Sequence, residues 1–456
     1  MVKDKLLAMI RDGQDLTRRQ RLTLVLGLSL PAMLSQLSTV VENFVDTMMV
    51  GNIGAHASAA IGLVETSIWL LSGLSHSAST GFYVQVAHHI GANDFHGARN
   101  VFRQGIVTCL AFCLVLVAIG VGISPWLPQW LGGDPEVCHD ATLYFAIFCL
   151  SIPLHQFCSL SGGVLRSTGH VLVPAMLQVL SCVLNIAFNY VMIYGYGLGV
   201  MGAAIGTCCA ELVVSGIQMW YAVTVCPQLR LSQDKDGQYR PSRISMLKTL
   251  SIAGPLGIEH VVMCLAQIVS TMIVAPLGTV ALAAHSIGIS VESLCYMPGY
   301  GVADAGTTLT GQTIGARRPH LCRQFAQGSL LVGILGMSLL ALVMYVTAPW
   351  VMQHMSSDPD VQSFAASILR IEAFAEPLYA ASIVCYGILV GAGATMTSCT
   401  MNLASIWLVR IPLAWCLAST MGLTGVWIAM AIELCFRGIL FLWYLKGDRW
   451  LKGYEQ

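Results

Sequence analysis

Apolar runs of about 20 residues recur from Leu22 to the C-terminus, and each is long enough to cross a hydrocarbon core of roughly 30 Å as a helix. Hydropathy predicts twelve spans, numbered in chain order: 22–48, 57–86, 102–123, 141–161, 171–194, 203–225, 249–275, 281–310, 327–347, 363–390, 397–419 and 425–444. Only 10% of the 456 residues are charged, against about 25% in an ordinary soluble domain. The sequence therefore predicts an all-α polytopic membrane protein.

The basic residues predict how the chain is oriented in the membrane. Predicted loops after even-numbered spans carry all the basic loop residues, and loops after odd-numbered spans carry none. The loop residues are Arg99, Arg103, Arg166, Arg230, Lys235, Arg240, Arg243, Lys248, Arg317, Arg318 and Arg323. Because Lys and Arg are in excess on the cytoplasmic side, both termini are predicted to be cytoplasmic, and the tail residues Lys446, Arg449 and Lys452 agree. We expect no signal peptide, since no small-residue cleavage site follows a short apolar core.

The composition does not favour several other classes of protein. Lys and Arg number 23, as do Asp and Glu, and no basic-aromatic cluster indicates a nucleic-acid partner. Of the sixteen cysteines, only Cys138 falls in a predicted external loop, so a disulfide framework is not expected. The pair His88-His89 and His285 lack the converging ligands that zinc requires. No cofactor is implied.

The chain repeats itself at an offset of 224 residues. The superposed pairs include Pro31 with Pro255, Gly54 with Gly278, Gly91 with Gly315, Arg99 with Arg323, Pro153 with Pro377, Gly163 with Gly387 and Gly169 with Gly393. Near the ends, a slip of one residue brings Gly199 and Gly202 onto Gly422 and Gly425. A register that holds over so many proline and glycine positions indicates an internal duplication.

The repeat predicts two lobes of like orientation. Each half holds six spans, an even number, so both halves start from the cytoplasm and are related by a pseudo-twofold axis along the membrane normal, as in some secondary transporters. We predict an N-lobe at 1–225, a cytoplasmic linker at 226–248 and a C-lobe at 249–456. Two such six-helix bundles leave a cleft between them, and rocking of one bundle against the other would expose that cleft to alternate sides.

Asp46 is an isolated acid near the end of span 1, with no basic residue near it in sequence. Under the repeat, VDTMMVG at 45–51 superposes on VSTMIVA at 269–275, so Asp46 meets Ser270 and helix packing alone does not require a carboxylate. A charge in hydrocarbon costs a few kcal/mol on insertion scales and therefore faces a cavity or a partner. Glu42, one turn earlier on the same face, favours a water-filled interior. The simpler alternative is that Asp46 only marks the external interface.

Span 5 carries a second polar group. Asn185 and Asn189 are four residues apart and share one face of the span, and Thr207 lies in span 6. Interhelical hydrogen bonding without any other role is an equally good explanation of such a pair. Pro31, in the middle of span 1, removes a backbone hydrogen bond and permits a kink.

Other acids lie in or near the spans. They are Glu65, Glu211, Glu259, Glu292, Asp304, Glu372, Glu376 and Glu433. Arg370, Arg410 and Arg437 also lie within spans and offer partners for some of these acids. Apart from Glu259, the counterpart acid one turn beyond Pro255, we interpret most of this set as structural ion pairs.

With its parallel repeat, Pro31, NFVDTMMVG at 43–51 and the matching PLGTVALAA at 276–284, the chain resembles the multidrug and toxic compound extrusion transporters. The resemblance covers essentially the whole chain. It implies two six-helix bundles facing each other in a V. It also implies export of cationic or amphipathic organic compounds from the cytoplasm in exchange for protons or sodium ions.

Within that family, the chain is most similar to the branch of the bacterial DNA-damage-inducible protein F. There the acid of the V-D-T motif takes the coupling ion, and Asp46 matches it. An Asn in span 5, an Asp four residues later and a Thr in span 6 complete the site. Asn185 and Thr207 match, whereas Asn189 stands in the place of the family's second acid. The resemblance thus implies an ion-coupling site with Asp46 as its principal charge and Glu42 as a substitute for the missing acid.

In the NorM-like branch, C-lobe acids in spans 7 and 10 bind sodium. Glu259 lies one turn from the span-7 position, and Tyr379 stands near the span-10 position with Glu376 close to it. The resemblance implies that these three residues belong to the substrate cleft of the C-lobe and does not favour sodium coupling there. We expect protons as the coupling ion, with sodium as the alternative.

Two other transport functions remain open, namely a flippase for lipids or lipid-linked precursors and a dedicated exporter of a metabolite or flavin. An intramembrane enzyme would need a converging constellation such as paired His with an acid, and the sequence contains none that we recognise. The partners we expect are a small cationic or amphipathic substrate and the lipid bilayer. We expect a monomer in the cytoplasmic (inner) membrane of a prokaryote.

Overall fold

Helices dominate the described chain, as the hydropathy predicts, because a lipid-facing backbone must satisfy its hydrogen bonds within each segment. The structure is a computed structural model, and it describes residues 2–234, 237–356 and 358–451. Lys235 and Lys452, which the orientation argument uses, lie outside the described residues. Within the described ranges there is no β-strand.

The helices are numbered in chain order. They are α1 (Val2–Arg11), α2 (Arg18–Gly51), α3 (Ala55–Gly91), α4 (Phe95–Ile123), α5 (Leu127–Trp130), α6 (Pro135–Ser167), α7 (Leu172–Tyr190), α8 (Gly199–Trp220), α9 (Arg243–Val274), α10 (Thr279–Gly315), α11 (Pro319–Met355), α12 (Pro359–Ala373), α13 (Glu376–Gly391), α14 (Thr395–Ser405) and α15 (Ile411–Lys446). Single π-helical turns extend α7 and α8 and join α14 to α15. Cys138, which the sequence placed in an external loop, lies instead buried in the first turn of α6.

The membrane spans follow from these helices. By length and composition, ten helices of the described chain can cross a membrane, and α12 with α13, bent by 59°, form one further candidate. One of the ten, Thr395–Lys446, has 52 residues and would be about 78 Å long if straight, which is more than twice the hydrocarbon thickness.

This long segment is a helical hairpin. Gly422 has φ 60° and ψ −141°, and a Cβ added to Gly425 would lie 2.3 Å from the carbonyl oxygen of Leu417. Residues eight apart in a straight helix are about 12 Å apart, so the chain must reverse direction at Gly422. The hairpin corresponds to the predicted spans 11 and 12, and the count of twelve spans stays a prediction.

Backbone geometry supports the internal repeat. Gly54 and Gly278, which superpose under the 224-residue offset, both have positive φ values, 141° and 105°, immediately before α3 and α10. The only two non-glycine residues with positive φ in the described chain, Asn93 and Arg317, also superpose. Two halves with the same turns at equivalent positions have the same local fold.

The described chain divides into two compact units. One, the Asp46 unit, is Leu37–His260, and the other, the Glu433 unit, consists of Met1–Gln36 with Val261–Gln456. The division falls within α2 and within α9, five residues after Pro31 and five residues after Pro255. Each of these two proline-containing helices therefore contributes to both units. The lobes at 1–225 and 249–456 stay a prediction based on the repeat.

Close helix packing in each unit depends on a glycine at equivalent positions. In the Asp46 unit, a Cβ on Gly163 of α6 would lie 2.2 Å from the ring of Tyr83 in α3. In the Glu433 unit, a Cβ on Gly387 of α13 would lie 2.6 Å from the carbonyl oxygen of Ala303 in α10. Neither contact leaves room for a side chain, so the repeat preserves glycine where two helices meet.

Equivalent arginines hold the segment after the sixth span of each half. Arg99 at the start of α4 pairs with Asp234, and Arg323 at the start of α11 pairs with Asp448. The Arg99 pair is the better buried, with side-chain exposures of 11% and 16% against 46% and 74%. Arg99 also holds the pKa of Asp234 below its ordinary value through a hydrogen bond and its positive charge.

We predict that Asp234→Asn lowers the stability of the protein by up to about 1 kcal/mol, the upper range for a partly exposed ion pair. Because the pKa of Asp234 is lowered in the folded state, this contribution is present above about pH 4 and is lost as the pH falls through the lowered pKa. Thermal unfolding in detergent, followed by tryptophan fluorescence across pH, measures it. Asp448→Asn is the control and should have a smaller effect, and equal effects would contradict the account.

Candidate functional site

Asp46 lies in the last turns of α2 and contacts side chains of α7 and α8. Asn189 Nδ2 donates to Asp46 Oδ1 at 2.7 Å, and Asn185 Nδ2 lies 3.4 Å from Asp46 Oδ2. Asn185 Nδ2 also donates to Thr207 Oγ1 at 3.0 Å, and Asn189 Nδ2 donates to Asn185 Oδ1 at 3.0 Å. The structure thus brings together four of the five residues expected in the ion-coupling group, the fifth being Glu42.

Helix geometry explains why these side chains converge. Asn185 and Asn189 are one turn apart on α7 and are buried, at 0% and 1% exposure. Gly206 of α8 lies opposite them, and a Cβ there would be 2.1 Å from Asn189 Oδ1. The absence of a side chain at Gly206 therefore makes room for the amide. The two asparagines do link helices, but they also present N–H groups to Asp46.

The charge of Asp46 is met by amides alone. No Lys, Arg or His of the described chain forms an ion pair with it. Asn189 Oδ1, although buried, has no donor. A carboxylate held only by neutral groups can gain or lose a proton without breaking an ion pair, and the unsatisfied amide oxygen beside it can accept one more hydrogen bond.

Glu42 lies one turn before Asp46 and is held by a different residue. Gln178 Nε2 of α7 donates to Glu42 Oε2 at 3.0 Å. The carboxylates of Glu42 and Asp46 are close enough to interact electrostatically. Sequence reasoning missed Gln178, since a single amide in an apolar span carries no distinctive spacing.

The acids of the Glu433 unit have two different environments. Glu433 pairs with Arg410, Nη2 to Oε2 at 2.7 Å, and with Arg437, Nε to Oε1 at 3.2 Å. This agrees with the structural ion pairs expected from the sequence. Glu372 and Glu376 are fully buried, and neither oxygen of either carboxyl group has a hydrogen-bond donor.

The three residues proposed for the C-lobe cleft belong to two different compact units. Tyr379 lies in the first turn of α13 with Glu376, and its ring is 5.3 Å from the Arg437 guanidinium and 5.7 Å from the Tyr296 ring. Glu259 is buried in the Asp46 unit, whereas Glu376 and Tyr379 belong to the Glu433 unit. The structure therefore groups Glu376 with Tyr379 and assigns Glu259 to a different compact unit.

Pro31 lies in the interior of α2, in the part of that helix that belongs to the Glu433 unit. The same helix carries Asp46 in the other unit. Within the described residues, no group of three or more His, Cys, Asp or Glu side chains could hold a metal ion.

The apolar spans, the duplicated halves and the isolated carboxylate define the class of this protein as a multi-pass membrane transporter. The family model described as MatE matches residues 31–191 and 255–416. The two matches start 224 residues apart, at Pro31 and Pro255, which is the offset of the internal repeat. The chain belongs to this family, the multidrug and toxic compound extrusion transporters, whose members are transporters and not enzymes.

Two relatives illustrate the similarity. The "Probable multidrug resistance protein NorM" of Thermotoga maritima is 26% identical over 435 residues, which are 94% of this chain and 93% of that protein. The protein of the same name from Chromobacterium violaceum is 27% identical over 443 residues, 92% of each chain. The similarity to the DNA-damage-inducible protein F branch stays a prediction.

A solved structure has the same fold. It is described as the "Outward-facing conformation of a multidrug resistance MATE family transporter of the MOP superfamily", and it superposes with a TM-score of 0.89 at 20% identity over 99% of both chains. At this identity the likeness shows the fold alone.

We predict that substitution of two buried glutamates lowers the stability of the protein by very different amounts. Glu433→Gln leaves Arg410 and Arg437 without their counter-charge and should cost about 3 kcal/mol or more. Glu372→Gln replaces one unpartnered polar group by another of the same shape and should cost about 1 kcal/mol or less. Thermal unfolding of the two purified variants compares them directly. If Glu372→Gln lowered the stability as much as Glu433→Gln, the different environments of the two carboxyl groups would not explain their behaviour.

Proposed function

We propose that this protein is a secondary active antiporter that exports cationic or amphipathic organic compounds from the cytoplasm in exchange for protons. The observation that carries the proposal is Asp46, a carboxylate on a membrane-spanning helix held only by the amides of Asn185 and Asn189. A carboxylate in that setting can alternate between charged and neutral forms. The names of the relatives, multidrug resistance proteins, support organic compounds as cargo.

Protons fit the Asp46 group better than sodium as the coupling ion. Both amides present their N–H groups to Asp46, which suits an ionised carboxylate awaiting a proton. Sodium is a hard cation and requires several oxygen ligands. Two nearby oxygens already accept hydrogen bonds: Thr207 Oγ1 accepts from the amide of Asn185, and Asn185 Oδ1 accepts from the amide of Asn189. Sodium remains the alternative, since Asn189 Oδ1 has no donor and would offer one oxygen beside Asp46.

The cycle we propose uses the change of charge at Asp46. With the protein open to the cytoplasm, Asp46 is ionised and a cationic compound is bound. Protonation from the outside removes the charge and weakens the charge-assisted hydrogen bonds from the two amides. Helix α2 then bends near Pro31, and the substrate leaves. The membrane potential assists each charge that moves, by about 2.3 kcal/mol per 100 mV.

The position of Pro31 supports its role as a hinge. Helix α2 changes from one compact unit to the other five residues after Pro31, and α9 does so five residues after Pro255. Proline lacks the N–H that would complete the helical ladder, so bending there breaks no additional hydrogen bond. Rocking of the lobes 1–225 and 249–456 would use these two sites.

Substrate contacts in the second half are proposed for Glu376 and Tyr379, with Glu259 as a separate acid. Glu376 has no donor, and its carboxylate would find a partner in a cationic substrate. The aromatic ring of Tyr379 can face such a cation as well. We propose the cytoplasmic membrane as the location, on the basis of the bacterial relatives. The charges of the loops support the placement of both termini in the cytoplasm. We propose that the protein acts as a monomer.

A lipid flippase is less well supported. Recognition of anionic headgroups would need free arginines inside the spans. Arg410 and Arg437 are both bound to Glu433, and Arg370 donates to the carbonyl oxygen of Tyr345 and stacks on its ring. A dedicated metabolite or flavin exporter would use the same mechanism with a narrower substrate range.

We predict that Asp46→Asn abolishes proton-driven transport while the protein stays folded, because the amide keeps the shape of the side chain and cannot ionise. Ethidium transport into everted vesicles, driven by an imposed proton gradient or an imposed sodium gradient, measures the effect. Glu136→Gln, an exposed acid in the first turn of α6, is the control and should transport like the wild type. Full proton-driven transport by Asp46→Asn would overturn the role of Asp46.

A further inference from the structure

A second titratable pair, His155 and Glu211, lies in the Asp46 unit and makes no direct contact with Asp46. His155 Nδ1 of α6 lies 3.2 Å from Glu211 Oε1 of α8, with side-chain exposures of 37% and 21%. Glu211 interacts electrostatically with Glu42, which interacts in turn with Asp46. Asp46, Glu42, Glu211 and His155 therefore form a series of titratable groups on three helices, in which His155 contacts Glu211 directly and the other neighbours interact at longer range.

Other groups face this series from each neighbouring helix. They are Glu65 and His76 of α3, Tyr144, Cys158 and Arg166 of α6, Cys182 of α7, Cys208 of α8 and His260 of α9. His76 Nδ1 contacts Ser159 Oγ at 3.1 Å. Among these groups only the guanidinium of Arg166 is permanently charged.

The pair differs from the ion pairs of the Glu433 unit in one chemical respect. Arg410 and Arg437 hold Glu433 with guanidinium groups that cannot release a proton. An imidazole exchanges its proton in the range around neutral pH.

We propose that His155 and Glu211 form a second proton-binding site of the transport cycle, linked through Glu42 to Asp46. The imidazolium of His155 transfers its N–H proton to water and becomes neutral, while Glu211 remains a carboxylate, so only an N–H bond breaks and an O–H bond forms. The charge of the pair falls by one unit when the proton leaves. This proposal rests on the proton-coupled antiport proposed above and adds a proton to its stoichiometry.

The test measures protons and cargo together in proteoliposomes that contain the full-length protein. A trapped pH-sensitive dye reports protons, and tetraphenylphosphonium uptake reports the cation. The quantity compared is the number of protons moved per cation transported. We expect His155→Gln and Glu211→Gln each to lower this ratio by about one proton per cation. The double variant should lower it no further, because the two residues act as one unit. His139→Gln, an exposed histidine on the same helix α6, should behave like the wild type.

Exchange of labelled for unlabelled cation without a proton gradient shows whether each variant still folds and binds. We expect both single variants to retain it. If His155→Gln moved as many protons per cation as the wild type, the proposal would be overturned. Loss of cation exchange in both single variants would also overturn it, because that result would indicate a structural role. Failure of the proposed antiport itself would be visible elsewhere, as a wild type that does not move protons or an Asp46→Asn variant that does.

Discussion

The cost of placing polar groups in hydrocarbon governs this structure. Backbone N–H and C=O groups avoid this cost by forming hydrogen bonds inside the helices. At Gly54 and Gly278, which are equivalent positions of the two halves, the backbone departs from helical geometry. Buried side chains avoid the same cost by pairing, as Gln156 does by donating to Ser79 at 2.7 Å between α6 and α3. Charged side chains are the most costly, so the partner of each acid indicates what that acid can do.

The two halves solve the problem of a buried acid differently. In the Glu433 unit, two arginines fix the charge of Glu433 permanently. In the Asp46 unit, amides hold Asp46 and an imidazole lies beside Glu211. Fixed partners favour one charge state, whereas amide and imidazole partners allow two. Under the repeat, Asp46 aligns with Ser270, so the second half has no acid at the position of Asp46.

Periodicity and the repeat predicted much of the fold. The spans and the offset of 224 residues follow from spacing in the sequence. The convergence of Asp46, Asn185 and Thr207 was implied by the resemblance to the family and not by spacing alone. The interpretation of Cys138 as a loop residue was wrong, because α6 begins at Pro135, before the apolar run.

Other features could not be read from the sequence, because they depend on contacts between distant segments. His155 and Glu211 are 56 residues apart, and no motif connects spans 4 and 6. The assignment of Glu259 and Tyr379 to different compact units depends on how α9 is divided between those units. Spacing along one helix reveals a shared face, but it does not reveal which helix lies opposite that face.

Protonation of Asp46 itself is the central claim, and carbodiimide labelling tests it most directly, since the reagent modifies protonated carboxyl groups. The purified protein would be labelled across pH with and without sodium, and fragment-ion mass spectrometry would quantify modification at Asp46 separately from that at Glu42, which lies on the same peptide. The account predicts that labelling of Asp46 rises as the pH falls and that sodium at constant pH does not prevent it. Labelling that does not change with pH, or that sodium blocks, would contradict the account.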